Sequence, residues 1–124
     1  MRNASRILDI MERCVSGPMV EEDDFDQKHV TEGLQRVVSK YNIAVNTNDI
    51  INQNDDLADR IWSAAIDFLA ECGVYSKDSH RVILHSENEI KSLLKAAPSE
   101  VLLGEGRDAV LEKARNVEDP NPLI

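Results

Sequence analysis

Aromatic side chains are scarce in this sequence. One tryptophan, two tyrosines and two phenylalanines make up 4% of 124 residues, so any core must be built from aliphatic side chains. Cations are also in the minority, with 14 Lys and Arg against 23 Asp and Glu for a net charge of −9. That balance argues against a nucleic-acid partner, because phosphate binding needs clustered Lys and Arg. It argues equally against docking on anionic membrane surfaces. No apolar run approaches the length of a bilayer span. The first residues, MRNASRILDIMERC, carry charges throughout and lack the clean apolar centre of a signal peptide. Only two cysteines occur, Cys14 and Cys72, both in helical patterns. They read as small buried apolar residues of a protein in a reducing cytoplasm, and a disulfide between them is left open. There is no internal repeat and no low-complexity segment.

What is present is a folded composition, 42% hydrophobic and 30% charged. The length suits one domain with a modest core and falls short of a complete α/β barrel, which takes about 250 residues. The pattern predicts an α+β chain, mainly helical, with short β-hairpins. Ser5 to Ser16 follows the 3.6-residue period through Ile7, Leu8, Met11, Cys14 and Val15, and Gly17-Pro18 ends it. The acidic run Glu21 to Asp24 then complements the start of a helix from about Asp23 to Tyr41. Gly33 inside that stretch leaves two shorter helices as an alternative. Asn42 to Asn54 is a polar connection, and Asn54 or Asp55 caps the longest helix, Asp56 to Cys72. Leu57, Ile61, Ala65, Phe68, Leu69 and Cys72 form its stripe, widened by Trp62 and Ile66, and Gly73 stands at the C-terminal cap position.

After Gly73 the period changes from 3.6 to 2. Val74-Tyr75 and Arg81 to His85 predict a short hairpin, with Val82 and Leu84 on one side and Arg81 and Ile83 on the other. Ser86-Glu87-Asn88-Glu89 is a capping box, in which the serine hydroxyl and the Glu89 carboxylate bond each other's backbone amides. The helix it opens runs through Ile90, Leu93, Leu94 and Ala97 and stops at Pro98. Val101 to Leu103 reads as a strand, Gly104 to Asp108 as a turn, and Ala109 to Val117 as either a return strand or a helix. The closing EDPNPLI is turn-like and contains no recognisable finish to a domain.

Few residues invite a chemical reading. Gly104 to Ala109 fits G-x-G-x-x-G/A after a strand, the pattern that lets backbone amides approach a pyrophosphate. Against that, Glu105 would stand beside the phosphates and only 15 residues follow Ala109. A tight hairpin turn explains the glycines as well. Cys72, His80 and His85 are conceivable metal ligands, but their spacing matches no zinc pattern. The acidic run lacks the ligand spacing of a calcium loop. Cys72 or Ser79 near a histidine would make a nucleophile, yet neither lies in a known signature, and Arg107-Asp108 reads as a local ion pair or turn brace. The residues by themselves define no active site.

One stretch carries a resemblance. LAECGVYSKDSHRVILHSENEIKSLL, followed by VLLGEGRDAV, closely resembles the N-terminal region of the monomethylamine:corrinoid methyltransferases. These are among the pyrrolysine-containing methylamine methyltransferases of methanogenic archaea. The matching pieces are Glu71-Cys72-Gly73-Val74-Tyr75, Asp78-Ser79-His80-Arg81, and Leu103-Gly104 with Gly106-Arg107-Asp108-Ala109-Val110. A looser likeness extends upstream through EEDDFD and Lys40-Tyr41-Asn42. The resemblance implies a full-length α/β (TIM) barrel that moves the methyl group of monomethylammonium to the cobalt of a separate corrinoid protein. That is a step of methanogenesis from methylamine. It implies pyrrolysine and the catalytic acids further downstream, so no residue here inherits a catalytic, cofactor-binding or metal role. It implies no cofactor in this chain, a corrinoid held by the partner, and a homo-oligomeric full-length enzyme in the cytoplasm.

On this reading residues 1–124 are an N-terminal helical and hairpin region without the barrel core, inactive alone, which packs around the barrel. The alternative is a standalone acidic interaction module without catalysis. A chain that encloses both Trp62 and Phe68 by itself would contradict the first reading.

Overall fold

The computed structural model describes residues 2–48, 52–115 and 120, and divides the chain into two units, Met1–Ser92 and Leu93–Ile124. In the first unit, helix α1 (Arg2–Ser16) is followed by a helical run made of α2 (Glu22–Asp24), a π-helical segment (Phe25–Thr31) and α3 (Glu32–Lys40). Then come α4 (Asp55–Cys72), strands β1 (Val74–Ser76) and β2 (Arg81–Ile83), and the start of α5 (Glu87–Ala96). The second unit contains the end of α5, strands β3 (Glu100–Leu103) and β4 (Val110–Lys113), and the short 3-10 turn Gly106–Asp108. The mixture of helix and strand, with helix dominant, agrees with the pattern of the sequence. The EDPNPLI segment falls, except for Pro120, outside the described residues.

Strand β2 is the centre of the first unit. It pairs antiparallel with β1, Val74 opposite Ile83 and Ser76 opposite Arg81. Its other edge is also occupied, by the chain that leaves α1. The Val82 amide donates to the Pro18 carbonyl at 2.9 Å and the Val20 amide to the His80 carbonyl at 2.9 Å. Met19 bridges Arg81, and the Arg81 guanidinium donates to the Gly17 carbonyl at 2.5 Å. The expected hairpin is therefore the visible part of a three-segment arrangement. Pro18 fits there because its carbonyl accepts, so its missing N–H costs nothing.

Gly17 is dictated by space. A Cβ there would lie 2.3 Å from the Val82 carbonyl oxygen and 2.8 Å from that of Arg13. Gly73 is dictated by conformation as well. Its φ is +72°, and a Cβ would come 2.7 Å from Val82 Cγ1. Both glycines let the backbone close on Val82, which is 1% exposed.

Around Val82, Phe25 and Cys72 are buried, with Val20, Val30, Phe68 and Tyr75 packed against them. Ile83 is buried too, while Leu84 is exposed. Val82 and Leu84 both lie against Gly73, on one side as the alternation expects, but burial does not follow the two sides. Helix α1 packs along β2 in addition to the cluster that takes Val82, so both faces of the strand lose water. Neighbouring elements bury Val37, Leu57, Ala64, Ile66 and Ile90.

The caps follow local chemistry. The Asn54 side chain accepts from the Leu57 amide at 3.1 Å and starts α4. The Ser86 hydroxyl accepts from the Glu89 amide at 3.2 Å and starts α5, but the reciprocal half of the capping box does not form. The Glu89 carboxylate turns to Arg13 instead. Gly33 does not break its helix. It is buried in α3, where a Cβ would already stand 3.4 Å from the Phe68 ring. The expected stripe of α4 is only partly covered: Leu57, Ile66 and Cys72 are buried, as is Ala64 outside it, whereas Ile61, Trp62 and Ala65 face water.

In the second unit the stretch expected as a return strand or a helix, Ala109 to Val117, contains the return strand Val110–Lys113, with Val110 opposite Leu103 and Leu111 opposite Leu102, and its last two residues lie outside the described ones. Val101, Leu102, Leu103 and Leu111 remain exposed. A two-stranded hairpin has no second layer on which to bury a face.

Substituting Gly17→Ala tests the closure on Val82. Overpacking against fixed backbone should lower the stability of the first unit by about 1–3 kcal/mol, read by urea denaturation.

Candidate functional site

The most heavily bonded polar node of the first unit lies where α1 meets the turn between β2 and α5. Asp9 and Arg13 sit one helical turn apart, so both side chains leave α1 on one side. Arg13 donates from one terminal nitrogen to the Leu84 carbonyl at 2.9 Å and to Glu89 Oε2 at 3.0 Å. The other nitrogen donates to Glu89 Oε1 at 2.8 Å and to the Asp9 carboxylate. His85 Nδ1 is 3.3 Å from Arg13 and 3.2 Å from Glu89 Oε1.

The paired, partly desolvated guanidinium holds the Glu89 carboxyl down to about 2, and the hydrogen bond with His85 assists against the opposing effect of burial. Glu89, then Asp9, push the Arg13 pKa upward. Both Glu89 oxygens are engaged, so this node clamps α1 to the β2–α5 turn and the start of α5 and offers no free base.

A second polar contact closes the β1–β2 turn. The Tyr75 hydroxyl is 2.9 Å from the Val20 carbonyl, to which it donates, and 3.0 Å from His80 Nδ1. The Tyr75 ring stacks on Phe25 at 4.9 Å, and Phe25 stacks on His29 at 5.3 Å. Burial, then Glu22 and Glu21, raise the Tyr75 pKa. His80 takes a φ of +52°, the left-handed conformation a tight turn requires.

The candidate residues of the sequence do not converge. Cys72 is in the core with its thiol pKa raised by burial, His80 faces Tyr75, and His85 belongs to the Arg13 node. Ser79 bonds Ser76 at 2.7 Å rather than a histidine. Cys14 and Cys72 are both free thiols. Among the described residues no group of three or more His, Cys, Asp or Glu is placed to hold a metal ion. In the acidic run, Glu22 pairs with Lys77 at 2.9 Å and Asp24 with Lys28 at 3.0 Å.

Gly104 to Ala109 forms the β3–β4 turn, with φ of +81° at Gly104 and +60° at Gly106. A strand follows it where a dinucleotide fold needs a helix N-terminus, so the phosphate-binding reading fails. Arg107 and Asp108 do not form the expected brace; the turn is held by the Asp108 amide on the Glu105 carbonyl at 3.2 Å.

What the first unit offers is surface. Ile7, Leu8, Met11 and Val15 stand in a row on the outer side of α1, each 58–67% exposed. Trp62 on α4 is 60% exposed, and Phe68 is only half-buried. The uncovered Trp62 is what the wide apolar side of the Leu57 to Cys72 helix leads one to expect, whereas the α1 row escapes a sequence reading because the 3.6 period marks an apolar side without saying what covers it. The Arg13 node escapes it because its members are more than 70 residues apart.

The node gives an acid-limb signature. A carboxyl whose folded pKa is lowered adds stability that is complete above its usual value near 4.5 and is lost as pH falls toward about 2. The melting temperature should drop across that window. Glu89→Gln should cost about 1 kcal/mol at pH 7 and flatten the drop, checked by circular-dichroism melts from pH 7 to 2.

Comparison with known proteins gives a consistent result. The family model described as monomethylamine methyltransferase MtmB matches residues 5–124. Monomethylamine methyltransferase MtmB2 of Methanosarcina barkeri (strain Fusaro / DSM 804) is 31% identical over 117 residues, 94% of this chain and 25% of that protein. The MtmB of Methanosarcina mazei is 29% identical over 116 residues, with the same coverage. The crystal structure of the Methanosarcina barkeri enzyme superposes with a TM-score of 0.78 at 28% identity, over 86% of this chain and 23% of that one. The chain thus spans about a quarter of the length of the curated relatives it matches. With the family model matched over residues 5–124 and the fold shared over 86% of its length, the chain belongs to the monomethylamine methyltransferase MtmB family.

Proposed function

We propose that this chain serves as the N-terminal region of a monomethylamine methyltransferase, acting as a jacket on a catalytic barrel rather than as a catalyst itself. The full enzyme would transfer the methyl group of monomethylamine to a cobalt corrinoid on a partner protein. The reacting groups would lie in the three quarters of the family's length that this chain does not span. The supporting observation is the outward row Ile7, Leu8, Met11 and Val15, apolar side chains on a helix whose inner side is already used against β2. A contiguous exposed apolar row marks an interaction surface. The exposed strands β3 and β4 fit the same role, since a hairpin needs a further layer. The clustered, fully engaged polar groups of the Arg13 node fit a scaffold better than an active site.

The test is a chimera in which residues 5–124 replace the matching quarter of Methanosarcina barkeri MtmB2. The expected result is a soluble chimera that methylates its corrinoid protein from monomethylamine, followed by the cobalt absorbance, while the isolated chain shows no transfer. Turnover by the isolated chain would overturn the reading. The triple substitution Leu8→Lys, Met11→Glu, Val15→Lys should change the stability of the isolated chain by no more than about 0.5 kcal/mol, because these side chains are exposed. It should nonetheless abolish assembly of the chimera.

A further inference from the structure

A different surface, on α4, carries a different chemistry. Asp55, Asp59, Trp62 and Ile66 recur at helical spacing and form one face. Trp62 is 60% exposed, and no acceptor in the described residues meets its indole N–H. Beside it runs a groove of about 300 Å³ lined by Tyr41, Trp62, Ser63, Ile66, Glu87 and Lys91. The cations that touch the groove residues are already engaged: Lys91 is 2.9 Å from Glu87, Lys40 is 2.6 Å from Asp67, and Arg60 donates to the Tyr41 carbonyl at 3.3 Å and lies 3.5 Å from Asp56. Among the described residues no cation pairs with Asp55 or Asp59. The carboxylate of Asp55 complements the start of α4, but Asp59 lies a full turn further in, where the helix dipole offers little.

The face therefore combines an uncovered tryptophan, uncompensated negative charge and a groove of mixed lining, where Tyr41 and Ile66 meet Ser63 and the Glu87–Lys91 pair. We propose that it docks a cationic amphipathic segment of a partner protein, whose Lys or Arg stacks on Trp62 and pairs with Asp59 while its apolar side packs on the rest of the indole and on the Tyr41 and Ile66 wall of the groove. A cation within about 6 Å of a tryptophan ring is held by the ring's quadrupole, and a neighbouring carboxylate adds charge attraction. Tryptophan is also the residue type that most often anchors protein interfaces. The α1 row differs in having no charge interleaved among its apolar side chains, which suits permanent packing. The α4 face has the polar composition of an interface that forms and separates. The proposal does not depend on the jacket role of α1.

Trp62 is the sole tryptophan, so its fluorescence reports on this face directly. The full chain is titrated with an amidated 14-residue peptide of leucine and arginine at helical spacing, and with a leucine–glutamate counterpart. The expected result is a saturable blue shift with the arginine peptide alone. By calorimetry, Trp62→Ala and the pair Asp55→Asn with Asp59→Asn should each weaken binding about tenfold. A charge-matched control, Glu21→Gln with Asp23→Asn, should change it by less than about twofold. Equal weakening by both acidic pairs would reduce the effect to bulk charge and overturn the proposal. Binding indifferent to Trp62→Ala, or a blue shift that follows protein concentration without peptide, would also overturn it, the latter pointing to a second copy of the chain.

Discussion

The double pairing of β2 is the constraint from which the rest of the first unit follows. A three-residue strand is too short to persist by itself, and β2 survives because both its edges are bonded. The segment Pro18 to Val20 must lie against it, so the chain has to leave α1 at Gly17 with no side chain in the way. The same pairing brings α1 alongside β2 and puts Arg13 within reach of Leu84 and Glu89. Val82, enclosed from every side, is the apolar counterpart of these polar contacts. Disturbing one edge of β2 removes the reason for the other contacts to form.

This explains which features could be read along the chain and which could not. The caps at Asn54 and Ser86, the stop at Gly73 and the β1–β2 hairpin are governed by neighbours in sequence, and their residue types announce them. The pairing of Met19 with Arg81 spans 62 positions, and nothing local at Pro18-Met19-Val20 marks a strand. The π-helical turn at Phe25 is similar. It begins at Phe25, whose ring stacks on Tyr75, 50 positions away, a tertiary contact that an α-helical period does not register. Glu89 shows the competition plainly. Sequence assigns its carboxylate to a backbone amide, but a guanidinium 76 residues away offers two charge-assisted bonds and wins.

The candidate site was legible in a different way. The residues alone define no active site, and Cys72, His80 and His85, conceivable as one ligand set along the chain, stand in three unrelated settings. The family was legible from about Leu57 to Val110, because that stretch holds Gly73, the β1–β2 turn, Ser86 and the β3–β4 turn, where the backbone tolerates few alternatives. The outer faces of α1 and α4 permit many residue types as far as folding is concerned. Their apolar content therefore answers to something beyond the unit's own stability.

That distinction separates two kinds of exposed hydrophobic surface on one small unit. If the α1 row and the α4 face served one purpose, both would be expected to have the same mixture of side chains. Ile7, Leu8, Met11 and Val15 are aliphatic or thioether groups, suited to a layer that never returns to water. Trp62 stands between Asp59 and Ile66 on α4, so water can rehydrate its neighbours whenever a partner leaves. Carboxylates buried against an apolar body would cost several kcal/mol unless each met a cation. Whatever covers α4 must then either bring positive charge or leave Asp55 and Asp59 in solvent. A purely apolar layer of the kind suited to α1 cannot do the first, so the two faces call for different neighbours.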